Sequence, residues 1–266
     1  MKIAMNDLPR IGIAPNLPCS VFSVDNWLKK EASVPYEMSL TIYVNSKELV
    51  SILCTPTKLN CLVLGFLYSE GIITNMNEIT SMRICDDEPI ADVRLSTEFN
   101  APTGRTLTSG CGGGVIFENK PPKIESDMVV SPEEALSLLK QLYHQQDLYQ
   151  QSGGIHSSAL CDRKQLLVVT EDIGRHNTLD KIMGECLLRN LSSKNGILLT
   201  TGRISSEMLF KATRMGSPVI VSRTSPTERA ISLGHELGIT VVGYARNNRL
   251  VVFSGEERFS IVTPIK

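Results

Sequence analysis

The chain contains no CxxC pair, and its seven cysteines (Cys19, Cys54, Cys61, Cys85, Cys111, Cys161 and Cys186) are scattered and odd in number. They make no disulfide framework, which points to a reducing compartment. His156 is followed by Ser157 and Ser158, so the HxE step of a zinc deaminase is missing, and there is no PCxxC run. No zinc or other metal site is therefore expected. The absence of a GxGxxG fingerprint and of a P-loop removes two common nucleotide folds. Nothing reads as a signal peptide and no apolar run is long enough to span a bilayer, so a cytoplasmic protein with no membrane partner is expected. The net charge of −1 implies no general polyanion surface and no nucleic-acid partner. Any anionic ligand must be met by local arginines and lysines. Internal repeats and low-complexity segments are lacking as well.

What is present begins with the stretch TSGCGGGV, Thr108–Val115. One thiol, Cys111, sits among Gly110, Gly112, Gly113 and Gly114. Glycine permits positive φ and close backbone approach, and successive N–H groups in such a loop can line an anion nest. Two readings stand at this point: an accessible, movable thiol that carries a group between partners, and a glycine-rich turn with an inert cysteine.

The 266 residues allow one large domain or two smaller ones. Residues up to about Asn26, with Pro9, Pro15 and Pro18, read as a loosely held arm. Alternation from Tyr36 to Val44 and over Leu49–Cys54 predicts two strands about an Asn45-Ser46-Lys47 turn. Thr55-Pro56 opens a helix through Leu67, and Ile79–Cys85 and Ala91–Leu95 are further strands. Ser131-Pro132-Glu133-Glu134 is a capped helix start, and Ser225-Pro226-Thr227-Glu228 reads as a second. From Gly153 onward, strands alternate with helices of about ten residues, which predicts βαβ units and a mostly parallel sheet. The expected division is an N-terminal α+β lobe over residues 1–122, holding the Cys111 loop, and an α/β domain over residues 123–266.

Polar residues follow each strand of the second half. Arg175, His176 and Asn177 follow Leu166–Thr170, Arg203 follows Ile197–Thr201, Arg223 follows Val219–Val221, and Tyr244, Arg246 and Arg249 follow Val241-Val242. Ligands of open α/β sheets bind beyond the carboxyl ends of the strands. Any single arginine reads first as a solvated surface charge, but four at equivalent strand ends, with guanidinium forks beside helix N-termini, suit phosphate, so a phosphorylated or nucleotide ligand is expected. Asn177 is expected to cap a helix from Thr178. His176 and His156 are better site candidates than His144 or His235, which lie in helical patterns. Glu171 and Asp172 are either acid–base or ligand-accepting groups, or residues that hold Arg175 and Lys181 in place.

SGGIHSSAL (Ser152–Leu160), EDIGRHNTLDKIMG (Glu171–Gly184), TTGRISSEMLFKA (Thr200–Ala212), SRTSPT (Ser222–Thr227), VVGYARNNR (Val241–Arg249) and LCTPTKLNCLVLGFLYSEGII (Leu53–Ile73) resemble the formate dehydrogenase accessory sulfurtransferase family. The resemblance implies a cytidine-deaminase-like C-terminal fold, with a mixed or parallel sheet and flanking helices but without the zinc chemistry. It implies a homodimer and a sulfur carrier required for formate dehydrogenase. Sulfur is taken from a cysteine desulfurase as a persulfide on Cys111. It is passed to a molybdenum bis(molybdopterin guanine dinucleotide) cofactor bound as substrate. The cofactor-binding stretch maps to Tyr244, Ala245, Arg246, Asn247, Asn248 and Arg249, and the arginine edge of Arg175, His176, Arg203 and Arg223 suits its diphosphates. Many members carry CxxC where this chain has Cys111-Gly112-Gly113-Gly114. The alternative reading is a cofactor-binding chaperone without sulfur transfer, because Gly114 stands in place of a second thiol.

Overall fold

Two sheets, joined by a pair of closely crossed helices, organise the chain. The computed structural model describes residues 2–3, 12–85, 88–99, 106–107, 115–116 and 123–259. Cys111 and its neighbouring glycines lie outside the described residues. In chain order the first strands are β1 (Lys2–Ile3), β2 (Ile13–Ser23), β3 (Asn26–Pro35), β4 (Met38–Val44) and β5 (Lys47–Cys54). Helix α1 (Leu59–Ser69) follows, then β6 (Ile79–Ile84), β7 (Ile90–Leu95), β8 (Thr106–Leu107) and β9 (Val115–Ile116). The second half holds α2 (Pro132–His144), α3 (Asp147–Ser152), β10 (His156–Cys161), β11 (Leu166–Asp172) and α4 (Arg175–Arg189). It continues with β12 (Ile197–Thr200), α5 (Ser206–Arg214), β13 (Val219–Ser222), α6 (Glu228–Leu237), β14 (Thr240–Arg246) and β15 (Arg249–Ser254).

The first sheet has the order β1-β6-β7-β4-β5. Its β4–β5 hairpin turns at Asn45-Ser46, both at positive φ, the geometry that matches strand twist in a two-residue loop. Leu40, Ile42 and Val44 alternate inward with no exposure and meet α1 in one core. The arm expected before Asn26 is instead half of a two-stranded ribbon, β2 against β3. Most of its side chains are exposed, so no buried face imposes the period that marks a strand. Pro15 is accommodated by a register shift between Ala14 and Leu17, as edge strands and bulges allow.

The second sheet has the order β11-β10-β12-β13-β14-β15. β12, β13 and β14 are mutually parallel, whereas the β10–β11, β10–β12 and β14–β15 pairs are antiparallel. The sheet is thus mixed rather than mostly parallel, because β10 and β15 return by short turns instead of helical crossovers. Helix α2 covers one face over Ala159, Leu199, Val221 and Val242. Its Ser131 accepts from Glu134 N–H while Glu134 accepts from Ser131 N–H, a reciprocal cap worth about 1 kcal/mol. Helices α4, α5 and α6 cover the other face over Leu160, Leu198, Ile220 and Val241.

Helices α1 and α4 cross at two glycines. A Cβ on Gly65 would lie 1.7 Å from the Asp180 carbonyl oxygen, and one on Gly184 would lie 1.9 Å from that of Cys61. Only glycine permits this approach. α1 is buried nearly all round, as a helix wedged between a sheet and another helix must be. It starts at Leu59, four residues after Thr55, because the Thr55 hydroxyl accepts from Ile173 N–H instead of capping α1. The helix after Ser225 is capped by Thr227, which accepts from Ala230 N–H.

Candidate functional site

β10 runs against both β11 and β12, so β11, β12, β13 and β14 all point the same way. Their carboxyl ends form one edge, and β10 and β15 begin there. Arg175, Arg203, Arg223 and Arg246 all follow or end these strands.

The junction of β11 and α4 is fixed by a buried ion pair. Lys181 Nζ lies 2.6 Å from Asp172 Oδ2, with both side chains fully buried. The Asp172 carboxylate also accepts from Thr55 N–H, Gly174 N–H and Asn177 Nδ2–H. Lys181 donates to the Thr55 and Glu171 carbonyls and to the Thr57 hydroxyl. A buried pair needs such added hydrogen bonds to offset its desolvation. Asp172 therefore holds Lys181, one of the two roles open to it from sequence. Glu171 accepts from Leu148 and Tyr149 N–H and secures α3. Asn177 does not cap α4. Gly174 is the N-cap, and the Asn177 amide bridges Asp172 and the Leu53 carbonyl.

This junction presents Arg175 and His176 on the first turn of α4. His176 Nε2 lies 3.1 Å from Ser205 Oγ and 3.2 Å from Glu207 Oε2. Burial, with the Arg175 charge next, pushes its pKa down to about 3. The ring is neutral, and the Glu207 contact assigns its proton to Nε2. His156, half-buried at the start of β10, is also held below the usual imidazole range. Burial contributes most, then Arg175, with Arg203 adding to it and Asp172 opposing.

The other arginines diverge. Arg203 is exposed. Arg223 is half-buried, with its guanidinium 5.8 Å from the centre of the Tyr143 ring, so it leans toward α2. Arg246 and Arg249 are exposed at the β14–β15 turn, where Asn247 and Asn248 both take positive φ. A register shift between Gly243 and Arg246 puts Tyr244 at φ 52°. A bulky residue there is strained, and bulges of this kind re-aim side chains. Tyr244 packs at 6.2 Å from Phe253, and Ala245 is buried against the α2 face. Tyr244, Arg246, Asn247 and Arg249 line an open depression of about 450 Å³.

Two lysines are buried among the described residues. Lys181 is one. Lys211 is the other, 2.7 Å from Asp180 and 3.6 Å from Glu70, with its ammonium over the Phe66 ring. Their positions on apolar helix faces were the available signal. Cys54, Cys61, Cys161 and Cys186 are buried. Burial pushes the Cys61 and Cys186 thiols up to about 11, and Cys161 higher still. Such thiols are poor nucleophiles. Among the described residues, no group of three or more His, Cys, Asp or Glu is placed to hold a metal ion, and no helix is long and apolar enough to cross a membrane.

Residues 35–260 match the model of the FdhD/NarQ family. The chain is 39% identical over 240 residues to the sulfur carrier protein FdhD of Bacillus pumilus, covering 87% of this chain and 92% of that protein. It is 38% identical over 239 residues to that of Bacillus subtilis, covering 86% and 91%. A crystal structure from Desulfotalea psychrophila, of a protein designated a formate dehydrogenase accessory protein, superposes with a TM-score of 0.80 at 28% identity. That match covers 94% of this chain and 100% of that one. Residues Leu53–Lys58, the Asp172–Lys181 junction and the Tyr244–Arg249 turn all fall inside the matched span, and the chain belongs to the FdhD/NarQ family.

Proposed function

We propose that this protein is a sulfur carrier required for formate dehydrogenase activity. Cys111 accepts sulfur as a persulfide from a cysteine desulfurase and passes it to a molybdenum bis(molybdopterin guanine dinucleotide) cofactor bound as substrate. The observation that carries the reading is the edge where four like-directed strands end in or are followed by arginines, with Arg246 lining the open depression at Tyr244–Arg249. Exposed guanidiniums, turn amides and an aromatic ring suit a polar nucleotide carrying diphosphate. The names of the relatives, sulfur carriers at 38–39% identity, support the sulfur chemistry.

The transfer step balances without an added oxidant. The Cys111 thiolate attacks the outer sulfur of the donor persulfide, a new S–S bond forms on Cys111, and the donor's S–S bond breaks. The donor cysteine leaves as a thiolate and takes a proton. The described buried cysteines cannot substitute, since their raised pKa leaves little thiolate. One thiol suffices to accept sulfur, and its release to the metal as sulfide breaks the Cys111 S–S bond with two electrons supplied by a thiol reductant or by the reduced metal of the substrate, so Gly114 in place of a second cysteine does not bar the reaction. The reading includes a cytoplasmic homodimer with lobes over residues 1–122 and 123–266, the second related to cytidine deaminases in fold but without their zinc.

Cells whose only copy carries Cys111→Ala are expected to lose formate dehydrogenase activity. Full activity in those cells would leave a cofactor-binding chaperone without sulfur transfer as the function.

A further inference from the structure

The β2–β3 ribbon is unfinished as a sheet. Among the described residues it is two-stranded, with β2 pairing β3 alone. An isolated hairpin is marginal in water, and a third and fourth strand make it stable. Near the tip, Phe22, Val24, Trp27 and Leu28 are 58%, 88%, 71% and 47% exposed. Together they present on the order of 500 Å² of apolar surface, the upper range for one patch on a monomer.

The two outer edges of the ribbon differ. β3 carries Lys29, Lys30 and Glu31 and has α3 packed beside it. β2, from Ile13 to Ser23, carries no Asp, Glu, Lys or Arg, so its edge lacks the charges that block pairing with another strand. The turn fixes which backbone groups are open. Val24 and Asp25 both take positive φ and close on the Ser23–Asn26 pair. In such a hairpin the closing pair is hydrogen-bonded, and bonding alternates from there. Val21 and Cys19 therefore bond to β3, whereas the N–H and C=O groups of Phe22 and Ser20 point outward. Pro18 falls on the outward side too, where its missing N–H takes nothing from the hairpin, and it ends the row of donors.

This short row is its own complement. Antiparallel about a two-fold axis at Val21, Ser20 of one copy meets Phe22 of the other, and each such pair exchanges N–H and C=O both ways. Pro18 stays outside the pairing. On one face Val21 meets Val21 of the partner subunit, flanked by Leu28 from each copy. On the other face the two Phe22 rings come diagonal to each other, within aromatic reach, each beside its own Trp27 at 5.3 Å. The contact is isologous, so no second apolar surface is required. Two ribbons bring on the order of 1,000 Å² of apolar surface to one continuous sheet, the size a specific interface needs.

We propose that β2 is the seam of the homodimer, pairing with β2 of a second copy about a two-fold axis at Val21. The inference rests on the homodimer of the proposed function and names its surface.

Light scattering of the full chain tests it, with the parent expected at twice the chain mass. Ser20→Pro removes an outward N–H and leaves the bonds between β2 and β3 in place, so its mass should fall to that of one chain. Ser20→Ala keeps the N–H and should stay dimeric. Val21→Cys sets two thiols across the axis at a non-hydrogen-bonded pair, with Cα atoms about 4.5 Å apart, within disulfide range. Mild oxidation should link the two copies, whereas Val34→Cys, at the far end of the ribbon, should stay unlinked. The crosslink holds as a test even where Ser20→Pro fails to fold. A dimeric Ser20→Pro protein, or Val21→Cys linking no better than Val34→Cys, overturns the seam while the homodimer stands. A monomeric parent overturns both and leaves the ribbon to a different partner.

Discussion

Replacing Lys181 with methionine probes the joint on which the site is built. The side chain is fully buried, 2.6 Å from an equally buried Asp172. Removing it leaves a carboxylate that keeps its three N–H donors, from Thr55, Gly174 and Asn177, but has no counter-charge. Breaking one side of a buried pair costs about 3–5 kcal/mol. Asp172→Asn should cost at least as much. The asparagine amide would place an NH2 where the aspartate oxygens accept from four donors, and the Lys181 ammonium would retain neutral acceptors alone. The double replacement Asp172→Asn with Lys181→Met removes both charges, so its cost should fall short of the summed single costs by about 1–3 kcal/mol. Urea unfolding of the four proteins measures these differences. A Lys181→Met protein within about 1 kcal/mol of the parent, or strictly additive costs, would refute the reasoning, since either result means the pair is not coupled.

Gly65→Ala should be among the most destabilising single changes, because its methyl would overlap the Asp180 carbonyl at 1.7 Å; unchanged thermal stability would contradict the α1–α4 crossing. His176 is held neutral with a folded pKa of about 3, below the unfolded value of about 6.5. Its contribution is therefore fully present above pH 6.5 and is lost as pH falls toward 3, with a slope approaching about 1.4 kcal/mol per pH unit. His176→Gln should flatten that slope in unfolding measured between pH 6 and pH 4. Arg246→Ala should weaken guanine nucleotide binding by about 1.5–3 kcal/mol at low salt, with the difference shrinking as salt rises; equal affinities across the series would remove the hairpin from the site. Native protein treated with a thiol reagent near pH 8 should leave Cys61, Cys161 and Cys186 unmodified, and rapid labelling of Cys161 would contradict its burial.

Most strands and helices were legible because they have one buried face. Leu40, Ile42 and Val44 alternate, and α2 carries Ala135, Leu138, Leu139 and Leu142 on one side. The β2–β3 ribbon was not legible, since both its faces are largely exposed and no burial imposes a period. The direction of the four strands at the strand-end edge could be inferred from their helical connections. The reversals at β10 and β15 follow from short turns, which only antiparallel neighbours can share, and a reading by alternating strands and helices passes over them. At the site, residue types pointed to the arginine edge, but the partition among them needed coordinates. Arg223 is turned aside by Tyr143, and His176 is taken by Ser205 and Glu207. Asp172 was open from sequence as the residue that holds Lys181, whereas Lys211 gave no such sign, because its partner Asp180 lies on another helix.

The central claim is that Cys111 carries sulfur, and intact mass spectrometry tests it most directly. The full chain is incubated with a cysteine desulfurase and cysteine, then weighed with and without reductant. The account predicts a gain of one sulfur, reversed by reductant and absent from Cys111→Ala. Sulfur loading that persists in Cys111→Ala, or an unloaded parent protein beside an active desulfurase, would contradict it.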